Sequence, residues 1–152
     1  MLNLYDKACI HAIVIEKIEL QLAQLREMLQ DAFDAVADDS KSTAGDKHET
    51  SRAMAQLEQE KIGAQLSEMS KLKEVLFRID PTQLKETIQL GSLIETSMGI
   101  FYISVGVGTI EYNSKQIFCM TPAAPLGKIL LNKRKADEIQ WQNKVLNILS
   151  IH

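Results

Sequence analysis

The chain has little cysteine: only Cys9 and Cys119, in distant segments, with no capping pattern near either that would mark a nucleophile. The opening Met1-Leu2-Asn3-Leu4-Tyr5-Asp6 lacks the basic start and apolar run of a secretory leader. Both thiols therefore read as reduced, and the expected compartment is the cytoplasm. No run approaches the roughly 20 apolar residues of a membrane span, so no membrane partner is expected. The three histidines and two cysteines show no metal-ligand spacing. Gly106-Val107-Gly108 is followed by no helical pattern, which makes it a turn and not a phosphate cradle. Positive charge is also scarce. A net charge of −3 argues against a general nucleic-acid coat. Between Glu27 and Ser40 there is no Lys or Arg at all.

What is present divides the chain in two. Residues 1–80 carry 15 acids against 10 Lys and Arg, while 81–152 carry 5 against 7. In the first part, Leu4, Ala8, His11, Ile15, Ile18, Leu22, Leu25, Leu29, Ala32 and Val36 recur at alternating spacings of four and three. This is a heptad stripe without a proline or glycine to interrupt it. A helix of that extent is too long for a compact domain of this size and is expected to project as a coiled coil. His11 sits on the stripe and reads as an ordinary packed histidine. Ile10, Ile13 and Val14 widen the apolar face there, so the base is expected to pack on the C-terminal part. Met54, Leu57, Ile62, Leu66, Met69, Leu72, Leu76 and Ile79 form a less regular return stripe with Gly63 inside it. Ser42 and Thr43 are candidate N-caps for the return helix, and Asp46 and Glu49 suit its first turn. Asp80-Pro81 ends it. The expected domains are therefore a helical hairpin over 1–80, with its tip at 38–50, and a second domain over 81–152. A dimer formed between two chains along the stripe is the competing arrangement; a single hairpin predicts a monomer.

From Ile88 the texture changes. Leu90–Thr96, Ile100–Val105, Thr109–Tyr112 and Gln116–Met120 read as strands, separated by Met98-Gly99, Gly106-Val107-Gly108 and Asn113-Ser114. Pro125–Leu131 is a short helix with proline at its start. Asp137–Trp141 and Lys144–Ile151 make a closing hairpin across Gln142-Asn143. The fold class is α+β: an antiparallel helical hairpin, then a small antiparallel sheet with one short helix.

The run from Met120 to Ile139, with Thr121-Pro122-Ala123-Ala124-Pro125-Leu126-Gly127-Lys128 at its start and Ala136-Asp137 near its end, resembles the signature of the bacterial transcript-cleavage (Gre) factors. In that family a pattern S-P-x-(A/G)-x-x-L-(I/L)-G-K…G-D follows the central strands of an FKBP-like domain. The order of parts is similar along essentially the whole chain. The resemblance implies docking of the sheet domain at the rim of the secondary channel of bacterial RNA polymerase, with the coiled coil entering the channel. Tip acids would then help the polymerase hold Mg²⁺ and a water for cleaving backtracked RNA at its 3′ end. Mg²⁺ is hard and often takes only one or two protein carboxylates plus waters, so an acid on a rigid support suits that task. The chain would carry no cofactor of its own and would not be an enzyme by itself.

The tip departs from the family's D-L-K-E-N-A-E-Y-H. With His48 on its histidine, Asp46 takes the later glutamate, while Ser40 and Thr43 take the two acids thought to touch the metal. Neither Ser40 nor Thr43 donates a carboxylate, which leaves Asp38 and Asp39, just upstream, as substitutes. Candidate tip acids are thus Asp38, Asp39, Asp46 and Glu49, with Lys47, His48 and Arg52 as tip contacts. Candidate docking residues are Pro125, Leu126, Gly127, Lys128, Lys133, Arg134 and Lys135. For all of these, a solvated surface is the competing reading. So is a coiled-coil and FKBP-like interaction protein with another partner. An FKBP-like fold also raises prolyl isomerase activity, but Phe101, Tyr102, Tyr112, Phe118 and Trp141 are too few to line its pocket and also fill a core.

Overall fold

The computed structural model describes residues 1–39 and 45–152; of 38–39 and 45–48 it describes the backbone alone. The elements are α1 (Leu4–Asp39), α2 (Gly45–Arg78), β1 (Leu93–Thr96), β2 (Gly99–Ile103), β3 (Gly108–Tyr112), β4 (Lys115–Met120), α3 (Pro125–Leu130), β5 (Glu138–Trp141) and β6 (Lys144–Ile151). They form two compact units. A sheet unit contains Met1–Glu16 and Glu74–His152, and a helical unit contains Lys17–Lys73. The expected boundary at Pro81 follows the end of the helix, whereas the units divide by burial. Ile10, Val14, Leu76 and Ile79 are buried residues of the sheet unit, so the outer ends of both helices belong to it.

Helix α1 starts with a reciprocal cap. The Asn3 N–H donates to Asp6 Oδ2 at 2.8 Å and the Asp6 N–H donates to Asn3 Oδ1 at 3.0 Å. Two of the orphan donors of the first turn are thereby satisfied. The helix runs for 36 residues, about 54 Å at 1.5 Å per residue. In the helical unit the stripe behaves as expected on α1: Ile18 and Leu22 are buried, and Leu25, Leu29, Ala32 and Val36 are half-buried. The return stripe is different. Met54 and Leu57 are 66% and 65% exposed, and the inward positions are Ala55, Gln59, Ile62, Leu66, Met69 and Leu72. A side chain follows its place on the helix, and 54 and 57 lie off the 55–59–62–66–69 row whatever their hydrophobicity.

The six-stranded sheet has the order β3-β4-β2-β1-β6-β5. Its pairs are antiparallel except β2 and β4, which run parallel with Phe101 opposite Phe118 and Tyr102 opposite Cys119. An all-antiparallel sheet was the expectation. The chain leaves β2, skips the adjacent slot to lay down β3, and returns as β4 into the gap, which forces the parallel pair. Two hairpins close with left-handed residue pairs, Asn113-Ser114 (φ 49° and 62°) and Gln142-Asn143 (φ 48° and 63°). Positive φ at both central positions matches the strand twist. Strand β1 starts at Leu93, three residues later than its pattern suggests. The cause is a turn in which the Ser92 N–H donates to the Gln89 carbonyl and the Gln89 N–H to Ser92 Oγ, both at 3.0 Å.

Alternation along the strands divides the apolar residues between two faces. Ile94, Phe101, Ile103, Leu146 and Ile148 form one core with Leu126 and Leu130 of α3. Tyr102, on the opposite face from Phe101 and Ile103, meets the N-terminal segment of α1. The sheet is therefore covered on both sides, one by α3 and the other by the helix ends.

Candidate functional site

Three places in the chain concentrate functional chemistry: the helix ends at the expected tip, the loop region around α3, and the polar seam where α1 meets the sheet. At the tip, α1 ends with Asp38 and Asp39, and α2 opens with Gly45, Asp46, Lys47 and His48 in helical backbone. The side chains of these acids and of Lys47 and His48 lie outside the described residues. So does the whole of residues 40–44, including both candidate N-caps. Glu49 and Arg52 are described and exposed on α2. The last turn of α1 holds no basic residue. A negative charge at a helix C-terminus opposes the macrodipole, at about 0.3–1 kcal/mol for each exposed charge. Two adjacent acids there work against helix stability.

Around α3 the motif residues separate by burial. Pro125 occupies the first helical turn after an extended Ala124. Pro125 and Lys128 are exposed, while Leu126 (9% exposed) and Gly127 are buried. Leu126 belongs to the core, and a Cβ on Gly127 would collide with the Thr121 carbonyl oxygen. The sequence motif thus mixes surface and packing residues, and Leu126 and Gly127 offer a partner nothing to touch. Lys133, Arg134 and Lys135 are all exposed on the next loop. That loop is firmly held: the Ile88 N–H donates to the Lys133 carbonyl at 2.9 Å, and the Asn132 N–H donates to the Ile88 carbonyl at 2.8 Å. The Arg134 N–H donates to Asp137 Oδ2 at 2.7 Å. Asn132 and Ala136, with φ of 66° and 74°, bracket the three cations in the left-handed region that favours glycine. The result is a fixed row of positive charge suited to an acidic surface.

The seam in the sheet unit escaped the sequence. His11 Nδ1 lies 2.6 Å from Tyr102 Oη, and the rings meet edge to face at 6.0 Å. One turn earlier, Lys7 is fully buried and donates from Nζ to the Gln83 carbonyl at 2.7 Å. Burial lowers Lys7 to about 8 from 10.5, with Lys85 lowering it further and Asp80 opposing. Burial likewise holds His11 below its ordinary 6.5, against a hydrogen bond to the Leu76 backbone that raises it and with Lys7 lowering it further. The Tyr102 phenol is pushed up by burial. Only His11 carried a signal, its place on the apolar stripe; Lys7 fell between stripe positions.

In the helical unit, Gln21, Leu25 and Met28 of α1 and Gln65, Met69 and Leu72 of α2 line an open groove of about 470 Å³. Gln21 Oε1 is buried there without a hydrogen-bond partner. Among the described residues, no cluster of three or more His, Cys, Asp or Glu is placed to hold a metal ion. No described helix is long and apolar enough to cross a membrane. No family model matches the chain, and no curated protein does.

Proposed function

We propose that the chain is a Gre-like transcription elongation regulator, cytoplasmic and monomeric, that binds bacterial RNA polymerase at its secondary channel. The observation that carries this reading is a pair of long helices that both terminate at one acid-rich segment, Asp38 to Glu49, in a chain whose other unit has a rigid basic loop. The family pattern adds support. Laid over Ala124–Asp137 with its proline on Pro125, it puts its small-residue (alanine-or-glycine) position on Gly127, which is buried in α3. Its two later glycines fall on Asn132 and Ala136, both left-handed.

In this reading Lys128, Lys133, Arg134 and Lys135 dock on an acidic rim of the polymerase, while Lys47, His48 and Arg52 contact the channel. Asp38 and Asp39 then supply carboxylate oxygens towards the polymerase's own Mg²⁺, with Asp46 and Glu49 behind them. The chain adds no catalytic centre; it stimulates cleavage of backtracked RNA, or modulates elongation by occupying the channel. A second reading, a coiled-coil and FKBP-like interaction protein with another partner, draws on the apolar groove and its unsatisfied Gln21 Oε1.

The test uses the full chain, bacterial polymerase and a stalled, backtracked elongation complex with 3′-labelled RNA and Mg²⁺. Faster release of short labelled fragments, lost in Asp38→Ala/Asp39→Ala with binding retained, is the expected result. Binding without acceleration leaves channel occupancy as the mode of action. Neither binding nor acceleration overturns the reading in favour of the second.

A further inference from the structure

His11 and Lys7 stand one turn apart on the same face of α1, and both are buried, at 5% and 0% exposure. Around them the sheet unit supplies hydrogen-bond partners but no buried counter-charge. On β2, Tyr102 meets His11, and on β4, Cys119 lies beside Tyr102. From α2, the Leu76 backbone bonds the imidazole. From the segment after α2, Gln83 accepts from Lys7, with Asp80 and Lys85 acting on it through space. Asp80 is exposed, and it is the one acid that acts on Lys7.

These partners select the tautomer. A backbone bond that favours the protonated ring is accepted by the Leu76 carbonyl, and with Nδ1 taken by Tyr102 the matching assignment puts that hydrogen on Nε2. Nδ1 is then the lone-pair nitrogen, and it accepts from the Tyr102 hydroxyl at 2.6 Å. A proton arriving from solvent at Nδ1 removes that acceptor, so the Tyr102 hydroxyl must give up its donated bond and turn to accept instead. It also places a second positive charge one turn from the buried Lys7 ammonium.

We propose that His11 is a proton-operated latch: neutral, it fastens the N-terminal segment of α1 to the sheet through Tyr102, and protonated, it releases that segment. The direction follows from linkage. A base held below its free value contributes its full stability above about pH 6.5 and loses it as the pH falls further. The latch depends on the sheet unit alone and holds whatever the chain binds.

The experiment is hydrogen–deuterium exchange of the full chain at about pH 7.5 and about pH 5, corrected for intrinsic rates, alongside imidazole ¹H–¹⁵N spectra. The expected result is an Nε2–H tautomer at the higher pH, titration of His11 below its ordinary range, and acid-induced loss of protection confined to residues 4–16. The β3–β4 hairpin keeps its protection and serves as the internal reference. His11→Gln keeps an acceptor for Tyr102 and a donor for Leu76 but does not titrate, so it retains protection of 4–16 at both values. Should that variant fail to fold, Tyr102→Phe serves instead and moves the His11 titration upward. An Nδ1–H tautomer, equal protection at both pH values, loss spread over the whole chain, or the same loss in His11→Gln overturns the proposal.

Discussion

Tyr112, at the end of strand β3, donates its phenolic hydrogen to Asp6 Oδ1 at 2.8 Å, across 106 positions of sequence. Asp6 is at the same time the third-position partner in the cap of α1. One carboxylate therefore both starts the long helix and ties its first turn to the sheet. Asp6 also holds the Tyr112 hydroxyl protonated to well above its usual range.

This double role makes Asp6 costly to remove. Asp6→Ala is expected to lower stability by about 1–2 kcal/mol, the size of a lost cap. Asp6→Asn keeps the cap geometry and loses less. Urea denaturation of both variants, read with Tyr112→Phe in a double-mutant cycle, separates cap from tie; strict additivity would show that Tyr112 contributes nothing through Asp6.

Two glycines make opposite predictions. A Cβ on Gly63, within α2, meets nothing within 4 Å, so Gly63→Ala is expected to stabilise by about 1 kcal/mol through helix propensity alone. A Cβ on Gly127, within α3, strikes the Thr121 carbonyl oxygen and crowds the Pro122 carbonyl at 3.1 Å. Gly127→Ala should destabilise by about 1–3 kcal/mol as the backbone is forced apart. Paired denaturation curves decide both; a stabilised Gly127→Ala would refute the close approach.

Lys7 should make the protein more stable on the alkaline side of neutrality. Its amine sits near 8 when folded and 10.5 when free, so between those values the unfolded chain binds the extra proton. Stability therefore rises as pH increases from 8. The rise ends near pH 10, where the free tyrosine ionises while buried Tyr102 resists. Lys7→Met is expected to abolish the rise. Thermal melts of both proteins over that window test it, and a flat wild-type profile would remove Lys7 from the account.

The helices, the strand-rich second part and three of its turns were legible in the sequence because each rests on local rules. A 3.5-residue apolar repeat fixes a helix and its buried face, Asp80-Pro81 stops one, and Asn113-Ser114 and Gln142-Asn143 supply the left-handed pairs that hairpins need. The basic character of 133–135 was legible for the same reason. A face, however, does not name its partner. Gln59 turns inward and Leu57 outward because the row opposite α1 is set by where the two helices meet, and composition is blind to that.

The same limit hid the seam. His11 read as a packing residue and Lys7 as nothing, since what makes them chemical is a tyrosine 91 residues away from His11 and a carbonyl 76 residues away from Lys7. The parallel β2–β4 pair arose from skipping a slot in the sheet, a decision about topology that no strand's own residues record. Sequence determined which elements exist and their order, through propensity and periodicity, while contacts such as the Gln89–Ser92 turn moved the start of β1. Tertiary structure alone decided which buried polar groups face each other, because that depends on contacts between segments distant along the chain.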